Sequence, residues 1–204
     1  EAQIETGQPY MLYKDSINHK SNQKNIGVIK SSNLCAEIVE YSDNNETSVC
    51  NLASIALPKF IKNTKNSKEY DYNQLYETAK LAAKNLDRVI DINFYPTDKT
   101  KISNNKHRPI GLGIQGLADV FFKLNIAYDS KKAFEINKLI FETIYFGALE
   151  ASCKLAKEKG AYSTFKGSPI SEGNFQFDLW GIKPSGMWDW ESLREKIKKF
   201  GVRN

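Results

Sequence analysis

The sequence predicts an α/β fold rich in helix, and three observations predict it. Val49–Leu57 is an apolar run ended by Pro58, and Ile110–Ile114 is a second short apolar run; both read as buried strands. Between them, Leu75, Ala79, Ala82, Ala83, Leu86, Val89 and Ile90 recur at helical spacing. Beyond the second strand, Phe134 to Leu155 carries apolar residues nearly all round a helix, which predicts burial on both sides and cover from a larger parent assembly. Strands alternating with helices build α/β layers, although alternation alone does not select a barrel.

Each element can be read in turn. Residues 1–25 read as helix or helix remnants, with Pro9 in a first turn and Tyr10, Met11, Leu12 and Tyr13 as apolar surface. Residues 21–25, SNQKN, form a polar break, and Ile26–Ile29 is a short extended candidate. The run YSDNNETS (41–48) is turn-like and predicted to face solvent. After Pro58, FIKNTKNSKEY (60–70) is a Lys/Asn-rich surface connection. Asp71 offers an N-cap with Gln74 as its capping-box partner, and opens a helix to about Asn93. Phe94-Tyr95-Pro96 stops it, because a residue before proline avoids the α region. Thr97–His107 reads as a polar loop.

Gly111, Gly113 and Gly116 match G-x-G-x-x-G, which would suggest an NAD(H)-binding oxidoreductase. A dinucleotide fingerprint needs a hydrophobic strand before its first glycine, and KTKISNNKHRP precedes this one. The glycines therefore read as close-packing positions within the strand itself, with a helix following through Leu117, Val120, Phe121 and Leu124. Ser130 caps a long helix to about Lys159, closed by Gly160; Cys153 on it reads as structural. Ala161–Gly186 is an irregular excursion packed by Phe165, Phe175, Phe177 and Trp180. Asp189 caps a last helix carrying Trp190, Leu193, Ile197 and Phe200 on one face, ended by Gly201.

Composition narrows the function classes. The 204 residues suffice for one ordinary domain, and 41% hydrophobic with 26% charged residues is typical of a globular protein. The net charge of +5 comes from 29 basic against 24 acidic residues. Those bases are scattered, and the clusters Lys62–Lys68 and Lys196–Lys199 read as solvated surface rather than a nucleic-acid footprint. Three irregularly spaced cysteines make neither a disulfide framework nor a zinc site, and His19 and His107 are too isolated to complete one. No signal peptide or apolar run of ~18 residues is present, so the expected location is cytoplasmic.

The chemistry concentrates between Ser31 and Pro58. An amide (Asn33), a thiol (Cys35) and a carboxylate (Glu37) occupy positions i, i+2 and i+4. In an extended segment they would share a face and span at most ~13 Å, and a curled loop shortens that to about one sugar ring. A thiol, a base and an amide donor together suit radical or nucleophilic work on a polar ring. Cys50, fifteen positions later, allows a separate redox role. Isolated cysteines are more often small buried hydrophobes, so the clustering is what points to chemistry.

SSNLCAEIVEY (31–41) followed by SVCNLASIALP (48–58) resembles the large, catalytic subunit of class I ribonucleotide reductase, of the eukaryotic and viral kind. The likeness continues through EAQIETGQPYMLYKD (1–15), RPIGLGIQGLADVF (108–121), GAYSTFKGSP (160–169) and PSGMWDWESL (184–193). Against that family the chain looks like a central segment: it begins without an initiator Met and stops at FGVRN, where another barrel strand would be expected.

The resemblance implies part of a ten-stranded α/β barrel made of two five-stranded halves. Residues 1–30 would be a helical lead-in. Residues 31–58 would be the active-site finger loop and first strand of the second half-barrel, and 59–204 helix and strand units. It makes Cys35 the thiyl radical site that abstracts the C3′ hydrogen of a ribonucleoside diphosphate. Glu37 becomes the base for the 3′-hydroxyl and Asn33 the orienting amide, with Leu34 and Ala36 meeting substrate through backbone. Cys50 becomes half of the reducing dithiol, its partner lying outside this chain.

The same resemblance implies that no metal or cofactor binds this segment. The radical would come from a di-iron tyrosyl centre in a separate small subunit, and ATP and dNTP effectors would bind elsewhere in the parent. Thioredoxin or glutaredoxin would be the reductant, and the full large subunit a homodimer. The alternative is a catalytically silent module that only packs or binds a partner when isolated.

Overall fold

The computed structural model describes residues 1–65 and 67–204; Asn66, inside the predicted surface connection, lies outside the described residues. The chain opens with two short helices, α1 (Ala2–Thr6) and α2 (Lys14–Lys20), neither of which buries a residue. Pro9 falls between them rather than in a first turn, and Tyr10, Met11, Leu12 and Tyr13 are exposed. Ile26–Ile29 forms no strand. Its end is instead held by one side chain: Asn18 Nδ2 donates to the Ile29 carbonyl at 2.9 Å, and the Ile29 N–H donates to Asn18 Oδ1 at 2.7 Å. An amide side chain that answers both backbone groups lets Ile29 bury to 2% exposure without a ladder neighbour.

Strand β1 (Leu52–Ala56) begins three residues later than predicted, so Cys50 precedes it. Pro58 ends it by opening a 3-10 turn over Leu57–Phe60. The connection after it, predicted to be plain loop, contains a small antiparallel hairpin of β2 (Ile61–Asn63) and β3 (Lys68–Tyr70). Three-residue strands leave no periodicity to detect. Tyr70 of β3 ties this hairpin to the rest of the fold, packing between Phe60 and Tyr72 and donating to the Leu57 carbonyl at 3.2 Å.

Helix α3 (Tyr72–Ile92) starts where predicted, with Asp71 Oδ1 accepting from the Gln74 N–H at 3.0 Å. Its buried face is Leu75, Ala79, Ala83, Leu86 and Ile90. The predicted polar loop 97–107 is a helix, α4 (Asp98–His107), opened by a Thr97–Thr100 capping box. Its polar composition hides a buried face, because the residues it buries are Ser103, Asn104 and His107. Arg108 closes it in the left-handed region, φ 48°, and β4 (Gly111–Gln115) follows. Strands β1 and β4 are parallel, in register from Leu52 opposite Gly111 to Ala56 opposite Gln115. Gly111 and Gly113 thus lie inside a strand, and a Cβ on Gly111 would meet Leu52 Cδ2 at 2.5 Å. Gly116 then turns the chain at φ 80° into α5 (Leu117–Leu124), and a Cβ there would strike the Pro58 ring.

Helix α6 (Lys131–Lys159), capped by Ser130, is the spine of the fold. Through Ile140 and Ile144 it joins a first core with Ile55, Leu57, Phe60, Leu75, Val120 and Phe121. Through Phe146 and Cys153 it joins a second with Phe175, Trp190, Leu193 and Ile197. Two cores on one helix account for its nearly encircling apolar residues. Phe134 and Phe141, 70% and 46% exposed, remain uncovered within this chain.

The excursion 161–186 includes a 3-10 turn (Pro169–Glu172) and one helical turn, α7 (Gln176–Leu179). Phe175 and Phe177 pack on Trp190 of α8 (Trp190–Phe200), at 5.0 and 4.8 Å between ring centroids, while Trp180 stays exposed. The second core is therefore assembled from the excursion, α6 and α8 together.

Helices α3 and α6 meet closely at Gly147, where a Cβ would stand 2.9 Å from the Tyr76 carbonyl oxygen and 3.3 Å from Ala79 Cβ. Helix propensity favours alanine over glycine by up to ~1 kcal/mol. Backbone cannot retreat as a flexible side chain can, and overpacking typically costs ~1–3 kcal/mol. Gly147→Ala in the full-length parent is thus expected to lower the thermal unfolding midpoint of this domain. A midpoint equal to or above wild type would show that the helices separate freely.

Candidate active site

Asn33, Cys35 and Glu37 come together through a tight turn, not through the alternation of an extended strand. The Ala36 N–H donates to the Asn33 carbonyl at 3.1 Å, and Ala36 takes φ 63°, reversing the chain. Asn33 Oδ1 accepts from the Ile38 N–H at 3.1 Å, and Ser32 Oγ donates to the Ile38 carbonyl at 2.5 Å. The turn sets Asn33 Nδ2 against Glu37 Oε1 at 2.6 Å, so the amide and the carboxylate form one unit across the base. Leu34 and Cys35 stand at the tip, exposed.

Cys50 also keeps an exposed thiol. Partial desolvation by neighbouring chain pushes its pKa up, and the negative charges of Glu40 and Glu37, with the Cys35 thiol, push the same way. The loop therefore brings Cys35 and Glu37 within electrostatic reach of Cys50, which the sequence separates by fifteen and thirteen positions. Glu40 is half-buried, and burial raises its carboxyl to about 7. Cys153 is buried on α6, as predicted for a structural thiol.

On the return leg the run 41–48, expected to face solvent, is largely open, but Glu46 is only 3% exposed. Asp43 Oδ1 accepts from the N–H groups of Asn45 and Glu46 at 2.7 and 2.9 Å, folding the tip of this leg back. Glu46 then reaches α4, where Lys106 Nζ meets its two oxygens at 3.1 and 3.2 Å and His107 Nε2 meets Oε2 at 3.0 Å. One residue past Cys50, Asn51 exchanges bonds with Asn104 at 2.6 and 3.2 Å and donates to the Pro109 carbonyl at 2.9 Å. Asn104 donates in turn to Tyr95 Oη at 2.5 Å.

No motif or apolar periodicity marks Glu40, Glu46, Asn51, Asn104 or His107 as site residues. Their partners lie 53 to 61 positions away where the bonds cross from leg to helix. The one local signal was the Thr97 capping box, which would have made Asn104 and His107 neighbours on a helix face. A cavity of about 860 Å³ opens between residues 11–23, β4 and α6, bordered by Glu40 and His107. The thiols of Cys35 and Cys50 are not on its wall.

Fold and site define a helix-rich α/β unit with a parallel strand pair, entered through a loop that carries an amide, a carboxylate and two thiols. The family model for the ribonucleotide reductase barrel domain matches residues 1–204, and the chain belongs to that family. It is 57% identical over 206 residues to the ribonucleoside-diphosphate reductase large chain 2 of Saccharomyces cerevisiae, covering all of this chain and 24% of that protein. It is 53% identical to the large chain of Schizosaccharomyces pombe and 54% identical to the large subunit of Monkeypox virus, again along its whole length, covering 25% and 26% of them. The chain thus spans about a quarter of the length of these relatives. No helix among the described residues is long and apolar enough to cross a membrane.

Proposed function

We propose that this chain is the part of a ribonucleoside-diphosphate reductase large subunit that holds the radical cysteine, with residues 31–51 as the finger loop inside the barrel and β1 as the first strand of its second half. The observation that carries the reading is the 2.6 Å bond from Asn33 to Glu37 with Cys35 on the turn between them. It presents a hydrogen-bond donor, a base and a thiol to one small polar ring. In this reading Cys35, as a thiyl radical, takes the C3′ hydrogen atom of a ribonucleoside diphosphate and becomes a thiol. Glu37 accepts the 3′-hydroxyl proton, within the hydrogen-bond reach a general base needs. Asn33 orients the ribose, and the backbone of Leu34 and Ala36 lines it.

Reduction at C2′ requires two electrons as the 2′-hydroxyl leaves as water. Cys50 and a second thiol supply them and close to a disulfide. The family resemblance assigns that second thiol to the parent chain outside these residues, and Cys153, buried on α6 in the second core, is kept as a structural thiol. In this scheme a small subunit would supply the radical from a di-iron tyrosyl centre, thioredoxin or glutaredoxin would reopen the disulfide, and ATP and dNTP effectors would act elsewhere on a homodimeric cytoplasmic parent. The 204 residues alone are inactive in this scheme.

The test is CDP reduction by the full-length parent with its small subunit and a dithiol reductant. Wild type is expected to form deoxynucleotide over many turnovers, and Cys50→Ser to sustain no repeated turnover. Multiple turnover by Cys50→Ser at the wild-type rate would remove Cys50 from the dithiol.

A further inference from the structure

Cys50 lies between two buried anchors, and both are gripped by α4. Four residues before it, Glu46 is bound by Lys106 and His107; one residue after it, Asn51 is bound by Asn104. His107 and Asn104 are three positions apart, on one face of the same helix. The Thr47 N–H adds a third tie, donating to the Lys99 carbonyl at 3.2 Å. The thiol itself is exposed, so its place is determined by these anchors and not by packing of its own side chain.

We propose that Glu46 and His107 are positioning residues for Cys50, holding the returning leg of the loop against α4 so that the exposed thiol keeps one place on that leg. This rests on the reading of Cys50 as a redox thiol. An ionised carboxylate only accepts, so the Glu46 contact assigns the ring proton of neutral His107 to Nε2, and Nδ1 accepts from Thr164 Oγ at 2.8 Å. Burial lowers the His107 pKa, against the pull of the Glu46 carboxylate, in keeping with a neutral ring. Lys106 balances the Glu46 charge. The ring is thus a bridge with one defined orientation: it joins the leg to the 160–168 segment, and its backbone belongs to α4. A buried carboxylate held by two donors resists loosening, since removing it strands the His107 Nε2–H where water cannot reach.

The experiment uses the full-length parent with its small subunit and compares Glu46→Ala with Glu46→Gln. Amide hydrogen exchange at residues 43–51 is expected to accelerate about tenfold or more in Glu46→Ala, while amides of α6 stay at wild-type rates. For CDP reduction, kcat is expected to fall about tenfold or more with KM within about twofold, because the leg touches the reductive step and not the ribose contacts. Glu46→Gln keeps an acceptor for His107 Nε2 and is expected to recover most of both. Should Glu46→Ala fail to fold, Thr164→Val frees only Nδ1, and a rise of about threefold at the same amides is expected.

Unchanged exchange at 43–51 in whichever of these two variants folds would overturn the proposal, as would faster exchange with kcat intact. The exchange contrast needs no catalysis. If wild type reduces no nucleotide, the functional reading falls, while the exchange still decides whether the pair holds Cys50.

Discussion

Cys35→Ser in the full-length parent is expected to form no measurable deoxynucleotide, a loss on the order of 10⁴-fold or more, the scale that follows removal of a group at the reacting centre. The substitution is close to isosteric, and Cys35 stands exposed at the tip of a turn closed by Asn33, Ala36 and Ile38 rather than by its own side chain. The fold should therefore survive, with an unchanged unfolding midpoint and unchanged substrate binding. Only hydrogen-atom abstraction is removed, because a serine hydroxyl does not replace the thiyl radical. Asn33 and Glu37 keep their 2.6 Å bond in this variant, so a residual rate would have to come from them. If Cys35→Ser reduces CDP at a rate near wild type, the assignment of the loop is wrong, and a packing role for this segment becomes the better account.

Asp87→Ala is expected to destabilise this domain by ~3–5 kcal/mol, the cost of breaking a buried ion pair from one side. Asp87 has no exposed surface. It accepts from Arg108 at 2.7 and 3.0 Å, from Lys159 at 3.2 Å and from Asn204 at 3.1 Å. Arg108 is 3% exposed and reaches back from its left-handed position at the end of α4, so deletion of the carboxylate strands a buried guanidinium with Asp91 as its remaining counter-charge. The hub joins α3, α4, the end of α6 and the last residues, so its loss loosens the lead-in to β4.

The pH dependence has a definite sign. Burial alone would raise the Asp87 carboxyl, but hydrogen bonds from Arg108, Asn204 and Lys159 outweigh it and hold the group below the usual carboxylate range. A lowered folded pKa contributes stability that is full above the unfolded value of about 3.9 and is lost as pH falls through the folded value. Thermal melts from neutral to acid pH should show wild type losing this increment at the acid end and Asp87→Ala lacking it throughout. Parallel curves for the two proteins would show that the hub carries no charge-linked stability.

Elements with local causes are legible in the residues alone. Asp71, Ser130 and Asp189 each cap a helix through a backbone N–H three residues on, and that contact is written within one turn. Apolar spacing marked the buried faces of α3, α5 and α8, and glycine placement exposed Gly111–Gly116 as strand and turn. Asn33, Cys35 and Glu37 were legible because all three fall within five residues, whatever curve the backbone takes between them.

Contacts between residues far apart in the chain become visible only in the folded molecule. Helix α4 reads as polar loop because its buried face is Ser103, Asn104 and His107, residues that burial penalises unless a partner arrives. Those partners are Glu46 and Asn51, more than fifty positions upstream, and no periodicity links them. The start of β1 at Leu52 and the pairing of β2 with β3 are of the same kind. Each is set by hydrogen bonds and charges that exist only once the chain has closed on itself, whereas caps and apolar stripes act within a few residues and can be read before it does.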